Sequence, residues 1–288
     1  MTAQDTPRPA SDLTVRFAAG VAMAAVALLA IYLGGWPFRL LVAAGAAVAL
    51  VEWSAMRGVS RAWGRIGAGL HVLFLCIGAE LLFPAGQIDE IITADGIGIL
   101  ALAPESFEPV WRALAAALVV AVLLGLATRR VSMAWGFLYI AVPAFALLVL
   151  SWAWFGLVLW AMVVTWATDI GAYAAGRAIG GPKLAPAISP NKTWAGLAGG
   201  VAAAALFGWL VASLEILALG QPFLWLGGLM AVLAQAGDLY ESWEKRRAGV
   251  KDSGAILPGH GGVLDRIDGL LPVALATLAV PMAGLWIG

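Results

Sequence analysis

Apolar residues in this chain run in long unbroken blocks rather than alternating or marking one helical face. A hydrocarbon core of about 30 Å takes roughly 20 helical residues to cross, and blocks of that size recur along the sequence. Nine can be drawn, at 17–35, 38–55, 66–84, 111–127, 133–151, 154–176, 194–213, 222–240 and 269–287. Some separators are short, as at Gly34-Gly35-Trp36-Pro37 and Ser151-Trp152, while Arg57 to Arg65, Arg129-Arg130 and Arg177 to Lys192 are basic. The longer stretch from Pro84 to Pro109 is mixed, and its apolar run Ile97 to Ala103 is too short to span, so it reads as interfacial or re-entrant. The pattern predicts an all-α, polytopic integral membrane helix bundle of about nine transmembrane helices, with eight or ten as the alternatives.

Composition agrees. The 288 residues are 62% hydrophobic and only 12% charged, with mean hydropathy +0.92, whereas soluble domains are roughly 45–50% apolar and about 25% charged. The first block is longer than a signal-peptide core of roughly 7–15 residues and is read as a retained span. The single cysteine, Cys76, excludes an intramolecular disulfide. A formal net charge of zero argues against a nucleic-acid partner. Gly and Ala in 17–30 and 195–206 suit close helix packing in lipid, and Trp36, Trp111, Trp152, Trp194 and Trp286 read as interfacial anchors.

The placement of charge sets the orientation. With a cytoplasmic N-terminus, nine spans put 15 of the 17 basic residues inside and leave Arg39 and Arg112 outside. The 84–109 loop then carries Asp89, Glu90, Asp95, Glu105 and Glu108 without any Lys or Arg. The expected protein lies in the cytoplasmic (inner) membrane, with residues 1–150 as transmembrane scaffold and 151–288 as a catalytic region. Two polar loops of that region, 177–193 and 241–268, face the cytosol, so their ligands come from the cytosol or the inner leaflet.

The first of two polar constellations starts at Asp169, an ionisable residue at membrane depth and therefore a functional candidate. Tyr173 lies four residues on, sharing its helical face, and Gly176 and Arg177 follow where the helix leaves the membrane. The plain alternative makes Asp169 a structural partner of Arg177 or of a hydroxyl. After Lys183, the run Ser189-Pro190-Asn191-Lys192-Thr193-Trp194 opens the next span. Hydroxyls, an amide, a lysine and free N–H groups at a helix N-terminus suit phosphate, although a simple helix cap accounts for the same residues. Asn191-Lys192-Thr193 also fits a glycosylation pattern that a cytoplasmic loop would never use.

The second constellation, Asp238 to Asp268, concentrates six acidic and five basic residues and one histidine between apolar blocks. Asp238, Glu241, Ser242 and Lys245 recur at i, i+3, i+4 and i+7 and line one helical face, and Asp265 and Asp268 stand three apart at the start of the last span. Converging carboxylates have the hard oxygen chemistry of Mg²⁺ held together with substrate phosphates. Between them, Lys251-Asp252-Ser253-Gly254 and Pro258-Gly259-His260-Gly261-Gly262 form a turn whose amides can approach a polyphosphate. Lys245, Arg246, Arg247, Lys251 and Arg266 would neutralise it. An ordinary basic loop explains the cations but not the carboxylates at the membrane edge. The residues alone thus reach a Mg²⁺-dependent phosphate site and leave its substrates open.

The segment KDSGAILPGHGGVLDRID resembles the signature of the phosphatidate cytidylyltransferase (CDP-diglyceride synthase) family. Upstream Ser242, Lys245 and Arg246, the run SPNKTWAG and the D-x-x-A-Y-x-x-G-R segment fit it in order and spacing. The resemblance covers about residues 150–288 closely, and Glu244 departs from it where the family usually has an apolar residue. It implies transfer of CMP from CTP to phosphatidic acid, giving CDP-diacylglycerol and pyrophosphate. On that reading Asp238, Asp265 and Asp268 hold Mg²⁺, with a second cation left open, and Lys245, Arg246 and Lys251 join them in catalysis. Asp169, Ser189, Asn191, Lys192, Thr193, Ser242, Asp252, His260, Gly261, Gly262 and Arg266 then bind substrate. The implied partners are CTP, phosphatidic acid and the bilayer, with a homodimer left open. The rival readings are a CTP-using enzyme of another lipid, such as a CDP-archaeol-type synthase or a polyprenol kinase, and a transporter. Against the transporter stand polar motifs confined to one side and the lack of matched interrupted spans.

Cysteines placed at positions 60, 185 and 255 should react with an impermeant reagent only from the cytoplasmic side. Labelling of any of them from outside would overturn the nine-span topology.

Overall fold

The structure is a computed structural model that describes residues 10–78, 108–153, 155–214, 219, 221–256 and 261–283, with side chains from Ala18 onward. In their described residues, the nine apolar blocks, with a 3₁₀ turn at the start of 222–240, fall on helices. They are α1 (Ala10–Leu33), α2 (Gly35–Met56), α3 (Arg61–Leu73, running into a π-helical turn at Phe74–Gly78), α4 (Glu108–Thr128), α5 (Val131–Ala153), α6 (Phe155–Ala178), α7 (Trp194–Ala212), α8 (Gly227–Arg247) and α10 (Leu270–Met282), with the single turn α9 (Leu264–Ile267) before the last. Among the described residues five helices, α2, α4, α5, α6 and α7, are long and apolar enough to cross a membrane, and α10 and the apolar part of α1 are shorter. Residues 84–107 of the 84–109 loop lie outside the described residues, and its last two, Glu108 and Pro109, open α4.

Two local features depart from the hydropathy pattern. The block at 222–240 opens as a 3₁₀ turn, Gln221–Leu224, before α8 begins, and α8 runs on through charged residues to Arg247. The polar loop after α6 folds as an antiparallel hairpin, β1 (Lys183–Ala185) with β2 (Ser189–Thr193), pairing Lys183 with Thr193 and Ala185 with Ser189. Thr193 ends the hairpin and caps α7, its hydroxyl accepting from the Gly196 N–H at 3.0 Å.

The centre of the bundle is α5, which packs against α2, α4, α6 and α10. Trp53 of α2 is fully buried and donates its indole N–H to the Ser132 carbonyl at 2.8 Å. Gly136 makes room for that indole, since a Cβ there would overlap it. At the charged end of the bundle Arg57, which caps the C-terminus of α2, pairs with Glu244 of α8, and Tyr240 donates to Glu244 at 3.1 Å while accepting from Trp135 of α5 at 2.5 Å. Glu244 is therefore the anchor of a contact joining α5 and α8 to the end of α2. Large apolar side chains on α4 and α7, such as Leu118, Val119, Leu123, Leu206 and Phe207, point outward, as lipid-facing surfaces do.

Helices α6 and α7 meet backbone to backbone. A Cβ on Gly199 would fall on the Ala175 methyl and come within 2.8 Å of the Gly171 carbonyl, and one on Gly196 within 2.9 Å of the Ala172 carbonyl. Small residues permit this approach where lipid provides no hydrophobic drive for association. The contact fixes the hairpin that connects the two helices, and with it Lys192, relative to Asp169. Gly199→Ala should therefore destabilise the protein by about 1–3 kcal/mol, the usual cost of overpacking. Gly69→Ala, where a Cβ meets nothing within 4 Å, should not. Thermal unfolding in detergent compares the two.

Candidate active site

The charged end of α8 presents the face that its spacing predicts. Asp238 accepts from Ser242 Oγ at 3.3 Å and pairs with Lys192 Nζ at 2.5 Å, and the same ammonium donates to Gln235 Oε1 at 3.0 Å. One turn on, Lys245 pairs with Glu241 of its own helix and with Asp265 Oδ1 at 2.6 Å. Arg246 turns away from the carboxylates and donates to the carbonyls of Ile188 and Val250 at 3.2 and 3.4 Å, which ties the hairpin turn to the end of α8.

Asp265 is the most heavily bonded of the acids. Besides Lys245, its Oδ2 accepts from the Ser253 N–H at 3.0 Å, the Ser253 hydroxyl at 3.0 Å and the Gly262 N–H at 2.8 Å. Gly261, at φ 83°, takes a backbone conformation open to glycine, and a Cβ there would come within 2.7 Å of Asp265 Oδ2. Burial by itself opposes the charge on Asp265, but the hydrogen bonds from Lys245 and Gly262 outweigh it and hold the carboxyl below its ordinary value.

Asp268 follows on the same turn, its Oδ1 accepting from the Gly269 N–H at 2.7 Å. Asp169, Asp238 and Asp268, from three different helical segments, lie within electrostatic reach of one another, with Lys192, Lys245 and Arg266 as the nearby cations. Among the described residues no three metal-binding side chains converge on one point, so the carboxylates are gathered without forming an all-protein cage. Beside them a cavity of about 600 Å³ opens between α1, α2, α5 and α6. Its walls are apolar, including Met23, Leu41, Leu147 and Trp166, and its polar end is Asp169, Asp265, Arg266 and Asp268.

Most of the residues singled out from sequence thus meet in one place: Asp169, Lys192, Asp238, Ser242, Lys245, Asp265, Arg266, Asp268, Gly261 and Gly262. Thr193 is buried as a helix cap, and Ser189 and Asn191 stand on β2, half-buried and exposed, without hydrogen bonds to the carboxylates. Lys251 and Asp252 are exposed at the turn, and His260 lies outside the described residues. Sequence reasoning passes over two participants, Glu52 and Gln235, and it places Glu241 on the α8 face and Ser253 in the turn without giving either a role. Glu52 carries the signal that marks Asp169, an ionisable side chain inside an apolar block, and Glu241 shares the face drawn through Asp238. Nothing in the pattern marks Gln235.

A sequence model of the cytidylyltransferase family matches residues 14–282. The chain is 36% identical over 280 residues to the phosphatidate cytidylyltransferase of Pseudomonas aeruginosa, covering 91% of this chain and 94% of that protein. It is 56% identical over 120 residues to that of Brucella suis (42% and 44% of the two chains) and 48% identical over 115 residues to that of Bacillus subtilis (40% and 43%). The matched stretch therefore spans less than half the length of these last two relatives.

The depressed acidity of Asp265 makes stability depend on pH. Its contribution is complete above the unfolded-state value, about 3.9 for an aspartate, and is lost as pH falls through the lower folded-state value. Thermal midpoints should therefore drop below about pH 4, and Asp265→Asn should flatten that part of the profile. An unchanged profile in the variant would remove Asp265 from this role.

Proposed function

Because the chain belongs to the cytidylyltransferase family, we propose that it transfers CMP from CTP to phosphatidic acid, giving CDP-diacylglycerol and pyrophosphate for phospholipid biosynthesis. The observation that carries this reading is the junction of a cluster of paired charges with an apolar cavity. A lipid phosphate at the polar end and its acyl chains along Met23, Leu41 and Trp166 would fill such a space. The names of the relatives favour phosphatidic acid over isoprenoid lipids. On this reading the protein sits in the inner membrane with a cytoplasmic N-terminus, nine spans and the site facing the cytosol.

A phosphate oxygen of phosphatidic acid attacks the α-phosphorus of CTP, the bond from that phosphorus to the bridging oxygen of the β-phosphate breaks, and pyrophosphate leaves with the electron pair. The nucleophile is already an anion, so no strong base is needed, and catalysis consists of positioning and charge neutralisation. Lys192 and Lys245 are held by carboxylates and aimed at the cluster, so they are pre-set to bind phosphate oxygens. Arg266 neutralises charge at the cavity end. Arg246 acts through the hairpin it holds, and Lys251 meets the outer phosphates.

The donor set suits Mg²⁺. Asp169, Asp238 and Asp268 are hard oxygen ligands crowded together with repulsion that a divalent ion would relieve, and Mg²⁺ commonly takes one or two carboxylates plus substrate phosphates. Asp238 and Asp268 would hold it, with Asp169 available to a second cation. Asp265, whose oxygens already serve Lys245, Ser253 and Gly262, positions Lys245 instead. When bound, the ion would supply charge neutralisation at the triphosphate.

Radiolabelled CTP, phosphatidic acid and Mg²⁺ in detergent micelles should yield lipid-linked CMP in an EDTA-sensitive reaction. Absence of that product would overturn the assignment. Asp238→Asn and Lys192→Met should each lower turnover by about 10²-fold or more, the scale of losing one electrostatic stabiliser, with thermal unfolding still cooperative. Near-normal turnover in either would remove that residue from the machinery.

A further inference from the structure

The described residues of the loop from Asp252 to Leu264 are anchored from the other half of the protein. Glu52, on α2, is 4% exposed and separated from the loop by about two hundred residues of sequence. Its Oε1 accepts from the Val263 N–H at 3.0 Å, and its Oε2 accepts from the Leu264 N–H at 2.9 Å and from the Ser253 hydroxyl at 3.1 Å. The two N–H groups belong to the start of α9, whose first donors have no partner within the turn. A carboxylate carried by a different helix thus satisfies them.

The loop is shaped around this carboxylate. A Cβ on Gly254 would collide with the Glu52 carboxyl group, and one on Gly262 would collide with both that group and Ser253 Oγ. Two glycines of the loop are therefore needed for space, a different requirement from the positive φ at Gly261. The Ser253 hydroxyl lies 3.1 Å from Glu52 and 3.0 Å from Asp265. Its single proton is shared between the two carboxylates or alternates between them, and in either case it bridges the acid of α2 and the acid of α9. Asp265 in turn holds Lys245 at 2.6 Å.

We propose that Glu52 is a positioning residue of the transferase site: it pins the loop at Ser253, Val263 and Leu264 and so sets Asp265 and the Lys245 ammonium. The proposal rests on the function argued above, because Lys245 is taken there as a phosphate ligand. It makes α2 a functional element instead of scaffold, and it explains how a loop rich in glycine can hold a lysine in one place.

Glu52→Gln keeps the shape but turns an amide N–H₂ toward a backbone donor. The variant should fold, retain the KM for phosphatidic acid within about twofold, and lose kcat by about 10- to 10²-fold, the scale of a misplaced reacting group. Ser253→Ala, which removes only the hydroxyl bridge, should lose less, about three- to tenfold on the same grounds. The discriminating measurement places Glu52→Gln in a Lys245→Met background. If Glu52 acts through Lys245, the second substitution adds little, whereas losses that multiply indicate independent effects and overturn the proposal. Hydrogen exchange at the amides of Ser253, Gly262, Val263 and Leu264 should accelerate in Glu52→Gln while α6 and α7 stay protected. That readout is independent of the reaction, so it separates failure of the pin from failure of the transferase assignment. Unchanged exchange overturns the pin even where the wild type makes lipid-linked CMP. Should Glu52→Gln fail to fold, the exchange and kinetics of Ser253→Ala decide, with wild-type behaviour in both overturning the proposal.

Discussion

A charged side chain at the rim of a hydrocarbon bundle needs a partner, because the medium around it neither solvates nor screens it as water does. This constraint organises the functional end of the protein. Lys192 meets Asp238, Lys245 meets Glu241 and Asp265, and Arg57 meets Glu244. Lys192 with Asp238 and Arg57 with Glu244 join segments far apart in sequence, and Lys245 with Asp265 joins successive helices, so the requirement for compensation is also what joins the helices. On the proposed function, substrate phosphates would take over the lysines from carboxylates whose hard oxygens suit a divalent cation. The same neutralisation that lets these charges sit at the end of an apolar bundle prepares them for a polyanion.

Around that end, the apolar bundle contributes precision. The close contact of α6 and α7 at Gly171, Gly196 and Gly199 holds the hairpin that carries Lys192. The Trp53 indole, seated over Gly136, fixes α2 on α5 one residue away from Glu52. Glu52 then passes that rigidity to the glycine-rich loop through backbone N–H groups, which are donors any sequence supplies. The cavity beside the carboxylates is bounded by helices of both halves, so the region that resembles scaffold in sequence forms walls and anchors of the site.

Much of this architecture is legible in the pattern of residues. Hydropathy locates every helix that the described residues contain except the single turn α9, because block length in lipid is a property of local sequence. Helical spacing places Asp238, Glu241, Ser242 and Lys245 on one face for the same reason. The hairpin at 183–193 is not visible in that pattern, since its strands are three and five residues long and one contains Pro190. The break before α8 is hidden inside a continuous apolar run. Glu244 finds its partner in Arg57, about 190 positions away, which no local pattern indicates.

The sequence by itself determined that the chain is a membrane helix bundle with a charged, polar end, because composition and periodicity act over short distances along the chain. Tertiary structure decided which of the carboxylates are spoken for. Asp265, a metal ligand by resemblance, has its oxygens filled by Lys245, Ser253 and Gly262, while Asp169, Asp238 and Asp268 are drawn together from three helical segments. It also brought in Glu52, because a hydrogen bond spanning about two hundred residues depends on how α2 packs against the loop, and packing is fixed by the whole bundle at once.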